Sequence, residues 1–137
     1  MQAILRFALR CAVALLAGLS AGSASFAECQ NLAGRYLFDV GNPALTEALN
    51  ARLGDAIERF ELRYQVQVPF EATGDGYVYA PACMAHSCTI DEAFLGVEEA
   101  TCDVFVALLE NEQYTLVLPD SPWPTSVYDA RRDWMNR

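Results

Sequence analysis

Lysine is missing from this 137-residue sequence, and histidine occurs once, as His86. All nine basic residues are arginines, set against 18 aspartates and glutamates, for a formal net charge of −9. A chain this acidic does not bind nucleic acid or anionic lipid through its net field. The same charge keeps it soluble and steers it toward basic partners. A single histidine leaves little room for an enzyme. A Ser-His-Asp or Cys-His arrangement would need His86 as its base, and its sequence neighbours Ser87 and Cys88 are poorly placed to be the nucleophile. Acidic residues are plentiful, but no spacing singles out a pair for general acid–base work. Phosphate-binding glycine loops, basic aromatic patches, internal repeats and the Cys-x-x-Cys of thiol oxidoreductases are absent as well. No enzymatic activity and no cofactor are expected.

The N-terminus reads as a secretory signal. Arg6 and Arg10 are followed by the apolar run Cys11–Leu19 and then by the small-x-small site Ser25-Phe26-Ala27. The run is too short for a membrane span. This predicts a signal peptide over residues 1–27 and one domain over residues 28–137, long enough for a modest core. The domain is placed in the periplasm, with secretion as the alternative. Seven arginines then face the 18 acidic residues, a net charge of −11 with His86 neutral.

Cys11 leaves with the signal, so Cys29, Cys83, Cys88 and Cys102 remain. An even number in a small exported domain implies disulfides. Three pairings are open; the most local, Cys83–Cys88, leaves Cys29–Cys102. Loop-closure entropy assigns the long bridge about 4 kcal/mol and the short one about 2 kcal/mol. The short bridge therefore matters more for shape: it turns Met84, Ala85, His86 and Ser87 into a small closed loop. Reduced, Cys83, His86 and Cys88 could supply three zinc ligands, but a structural site needs a fourth and two surviving thiolates. No metal is expected.

Apolar spacing supplies the elements. Tyr36–Val40 is a short apolar run, either a strand or a lead-in to a helix. Asn42 and Pro43 are a helix start, followed by Leu45, Ala48, Leu49 and Leu53 at helical spacing. Gly54 ends or kinks that helix, and Asp55–Glu58 adds a turn. Phe60, Leu62, Tyr64, Val66 and Val68 alternate with polar residues, which predicts a strand ending at Pro69. Gly74-Asp75-Gly76 is a turn, and Tyr77–Tyr79 a strand stopped by Pro81. Ala93–Val97 has strand character, and Asp103–Leu109 is apolar enough to sit centrally. Glu110–Glu112 turns into a return strand, Gln113–Leu118. Pro119–Pro124 is a linker that holds Trp123. A last helix is capped by Thr125 or Ser126, with Ser126 and Asp129 spaced as a capping box. It turns Val127, Ala130 and Trp134 to the sheet and Arg131, Arg132 and Asp133 outward. The fold class is α+β: an antiparallel sheet flanked by N-terminal and C-terminal helices, stapled by disulfides.

A Cys-x-x-His-x-Cys loop leading out of a strand, in such a domain, resembles the inhibitor of vertebrate lysozyme (Ivy) family. The Tyr36–Val40 lead-in before Asn42-Pro43 and the Trp-containing final helix are similar too, so the likeness covers most of residues 32–137. In that family the loop typically reads Cys-Lys-Pro-His-Asp-Cys and plugs the cleft of C-type lysozymes, its histidine near the two catalytic carboxylates. Cys83, His86 and Cys88 match. Met84, Ala85 and Ser87 depart, which removes a cation and an anion from the tip and the proline that stiffens it. The resemblance implies a non-enzymatic inhibitor of a basic C-type lysozyme, with Met84, Ala85, His86 and Ser87 as the inhibitory loop. It leaves the oligomeric state open, a homodimer included. The alternative is an interaction or envelope-maintenance module of the same fold with another partner.

Overall fold

The computed structural model describes residues 29–137; the signal peptide expected over residues 1–27 lies outside the described residues. The chain forms α1 (Leu37–Val40), α2 (Pro43–Leu53), a 3-10 turn at Gly54–Ala56 and α3 (Ile57–Arg63). Six strands follow: β1 (Val66–Gln67), β2 (Glu71–Ala72), β3 (Tyr77–Cys83), β4 (Glu92–Glu98), β5 (Val104–Glu110) and β6 (Gln113–Leu118). The last element is α4 (Thr125–Met135). All strands pair antiparallel, in the order β1-β3-β4-β5-β6, with β2 also on β3. This is the expected α+β class.

Each face of the sheet has its own core. Leu45, Leu49, Leu53 and Phe60 from α2 and α3 pack on Val78, Leu95, Val104, Val106 and Leu108. On the other face Val127 and Trp134 of α4 pack on Phe94, Phe105, Ala107 and Leu109. Successive residues of β5 therefore serve opposite cores, which is why that strand is apolar almost throughout. Gly96 on β4 lets α4 come close: a Cβ there would lie 2.6 Å from Cγ1 of Val127. The Cys29–Cys102 disulfide has formed, with both cysteines buried in the first core.

The helix start at Asn42 is as expected: its Oδ1 accepts from the amides of Ala44 at 2.9 Å and Leu45 at 3.2 Å. Tyr36–Val40 resolves into a single helical turn, stopped by Gly41 in the left-handed region at φ 57°. Four expectations are corrected. The strand expected over Phe60–Val68 is α3 followed by the two-residue β1. Leu53, Ile57, Phe60 and Tyr64 also recur at helical spacing, and burial decides between the two periods. Phe60 and Tyr64 are buried and stacked at 4.8 Å, whereas Leu62 and Val66 are left about half exposed. The Tyr64 hydroxyl donates to the carbonyl of Ala80 at 2.9 Å, and its burial pushes its pKa well above the ordinary value.

The second correction is at Pro81, which does not stop β3; the strand runs on to Cys83, with Pro81 opposite Phe94. Away from β4, β3 meets only the two-residue pieces β1 and β2, so one missing donor interrupts little. The third is the capping box. Pro124 occupies the cap position of α4 with no side-chain cap, and Ser126 falls inside the first turn, too late to cap it. Arg131, expected to point outward, lies half-buried over the Trp123 ring at 4.3 Å.

Candidate functional site

The β3–β4 connection carries the six-residue stretch from Cys83 to Cys88. Cys83 is the last residue of β3, paired with Glu92 at the start of β4. The Cys83–Cys88 disulfide closes the segment between them. Inside it, the amide of Ser87 donates to the carbonyl of Met84 at 3.0 Å, which makes residues 84–87 a tight turn. His86, the third residue of that turn, has φ 66°. Glycine or asparagine usually fills such a position; a histidine held there costs about 1 kcal/mol of backbone strain.

The tip sorts its four residues into two kinds. Met84 and Ser87 are half-buried, and their backbone groups hold the turn together. Ala85 and His86 are exposed, and the imidazole makes no hydrogen bond within the described residues. A short turn, closed covalently, therefore displays one free imidazole. Its sulfurs are committed to each other, which removes two of the three zinc ligands weighed above. Among the described residues no group of three or more His, Cys, Asp or Glu could hold a metal ion.

The loop is braced from three directions. The amide of Met84 donates to the carbonyl of Asp91 at 2.9 Å, which extends the β3–β4 ladder by one step. The carbonyl of Ser87 accepts from the amides of Ile90 and Asp91, and that of Ile90 accepts from the amide of Glu112 in the β5–β6 hairpin. From the helical side, Gln65 Oε1 accepts the amide of Ala85 at 3.0 Å. Just before it on α3, Arg63 bridges Asp91 at 3.3 Å and Glu110 at 2.8 Å. Its side chain is only 11% exposed, so these pairs are poorly screened.

A family model described as inhibitor of vertebrate lysozyme (Ivy) matches residues 44–137, from α2 through the loop and past the end of α4. The chain belongs to the Ivy family. No curated protein and no solved structure matches it. Ivy is a family of inhibitors, not of enzymes, and membership implies inhibition of a lysozyme as partner. No helix among the described residues is long and apolar enough to cross a membrane.

The disulfide-closed loop expected from Cys83 and Cys88 is present, but its mount, Arg59, Arg63, Gln65, Asp91 and Glu110, was not read from the sequence. A signal was available, because Arg59 and Arg63 are four apart, one face of a helix. Arg59 forks onto Glu110 through Nη2 at 2.6 Å and Nε at 3.2 Å. That hydrogen bond above all, with help from Thr115 and the charge of Arg63, holds the Glu110 carboxyl down at about 2 from 4.5. The sign follows from linkage. A carboxyl more acidic in the folded chain adds stability above pH 4.5, which is lost as pH falls toward 2. Comparing the native protein with Glu110→Gln by urea unfolding should therefore show a gap of about 1 kcal/mol at neutral pH, after solvent screening. The gap should narrow as the pH falls through that window; a constant gap would mean that the pair does not contribute its charge.

Proposed function

We propose that this chain is exported by residues 1–27 to the periplasm. There, as residues 28–137, it inhibits a basic C-type lysozyme by inserting the Cys83–Cys88 loop into the active-site cleft. The observation that carries the reading is the exposed His86, held in a left-handed conformation at the tip of a turn closed by a disulfide. A glycosidase cleft presents two carboxylates. An imidazole placed between them can hydrogen-bond both, and their negative charge favours the imidazolium. A braced turn loses little entropy on docking.

The test is lysozyme activity on cell-wall substrate, titrated with the oxidised protein across C-type, G-type and I-type enzymes. Inhibition restricted to C-type enzymes supports the reading, and no inhibition of any of them overturns it. Charge adds a second expectation. The −11 of residues 28–137 should steer a basic enzyme toward the loop. Between about 10 mM and about 150 mM salt the association rate should fall by about tenfold in stopped flow, with a smaller change in the dissociation rate. A rate indifferent to salt would remove steering from the mechanism.

A further inference from the structure

A groove of about 540 Å³ opens directly beside the loop. The Cys83–Cys88 bridge forms one side of it, and the last turn of α4, with Met135, forms another. Val66 and Val68 line it and are 48% and 41% exposed, an apolar surface that neither core of the fold uses. The charge at the groove is mostly negative. Glu112 stands at it on the β5–β6 turn, and its carboxylate has no ion-pair partner within the described residues. Glu92 stands there too and accepts the Thr89 amide at 2.8 Å. The C-terminal end of α4 adds its partial negative charge. The groove already meets one guanidinium, whose Nε (Arg137) donates to the carbonyl of Trp134 at 3.0 Å and which makes no ion pair with Glu92 or Glu112 within the described residues; of the two carboxylates, Glu112 makes no side-chain hydrogen bond there either.

We infer that this groove is a second subsite for the same partner, taking one arginine or lysine side chain from the rim of the lysozyme cleft. The inference rests on the reading that the loop enters that cleft. Because one disulfide is both the base of the loop and a wall of the groove, an enzyme that engulfs the tip must lie across the groove. An aliphatic stem fits against Val66, Val68 and Met135, and its cationic head reaches Glu112. The groove thereby supplies a contact to a basic enzyme, at the foot of a tip that carries no aspartate, glutamate, lysine or arginine of its own.

The experiment is direct binding of a basic C-type lysozyme to the exported protein with both disulfides formed. Glu112→Lys should raise Kd about tenfold, Glu112→Gln about threefold, and Val68→Ser about threefold. Glu99→Lys is the control. It makes the same change in net charge on the β4–β5 turn, at the opposite end of the sheet, and should shift Kd less than about twofold. Thermal unfolding of each variant separates a lost contact from a lost fold, and the Glu112→Gln result stands if the lysine variant is unstable. Equal shifts for Glu112→Lys and Glu99→Lys would reduce the effect to the general field and overturn the groove. So would glutamine and serine variants that bind like the parent. In both cases the loop reading stays intact. Failure of the parent to bind at all would overturn both.

Discussion

Replacing His86 by alanine should raise the inhibition constant against a C-type lysozyme by about 30-fold, the scale of a central hot spot worth about 2 kcal/mol. Its thermal midpoint should stay where it was. The two halves of this expectation come from different features. The imidazole makes no hydrogen bond within the described residues, so its removal breaks nothing in the fold. Alanine adopts the positive φ of that position less readily than histidine, by on the order of a few tenths of a kcal/mol, the size of a several-fold preference, so the turn loses little. His86→Gly sharpens the comparison. Glycine takes φ 66° without strain, so the turn should become easier to form while inhibition is still lost. A glycine variant that inhibits like the parent would show that the loop acts by shape and not through the imidazole. Equal inhibition by parent and alanine variant would keep the family role and move the contact off the tip.

Opening the long disulfide should have the largest effect on stability. The Cys29→Ser/Cys102→Ser double variant should unfold at lower denaturant by about 4 kcal/mol, because the bridge closes a separation of 73 residues. Both cysteines are buried in the core shared by α2, α3 and the sheet, so the serines also leave hydroxyls to satisfy there. Cys83→Ser/Cys88→Ser removes a bridge across a separation of only 5 residues and should cost about 2 kcal/mol or less. Inhibition should show the reverse order when each variant is assayed well below its own unfolding midpoint. The long bridge is remote from the tip and should leave affinity near the parent's. The short bridge holds the turn, and its loss should weaken inhibition about tenfold through the entropy of ordering the loop. Unchanged inhibition with the short bridge open would sink the preorganised loop.

The parts legible in the sequence are those written in local patterns. Asn42 and Pro43 start a helix within three residues of themselves, and the Cys83–Cys88 spacing closes a loop without reference to the rest of the chain. The β5–β6 hairpin and the sheet-facing Val127, Ala130 and Trp134 are equally local. Phe60–Val68 was ambiguous because its apolar residues satisfy two periods at once. The choice between them rests on Tyr64 reaching Ala80, 16 residues away, and on a sheet edge that spares β1 only two residues. The mount of the site was illegible for the same reason. Arg59 meets Glu110 across 51 residues of sequence, and Arg63 meets Asp91 across 28. Those pairs exist only once the helical phase of α3 is set. A strand over the same residues would have sent Arg59 and Arg63 to one face of the sheet and left Asp91 without them.

The bracing of the loop has a consequence for the side chains of its tip. Gln65, Asp91 and the hairpin amide of Glu112 grip backbone groups of the β3–β4 connection, through contacts that depend on the tip's amides and carbonyls and not on its side chains, a proline at position 85 excepted, since it would forfeit the Gln65 bond. The tip therefore behaves as an exchangeable cartridge in a fixed socket. Residues that keep an amide N–H at positions 84, 85 and 87 and tolerate a left-handed third position can be presented at the same place and angle. The tip's side chains can thus change while the residues that fold the sheet and helices stay as they are.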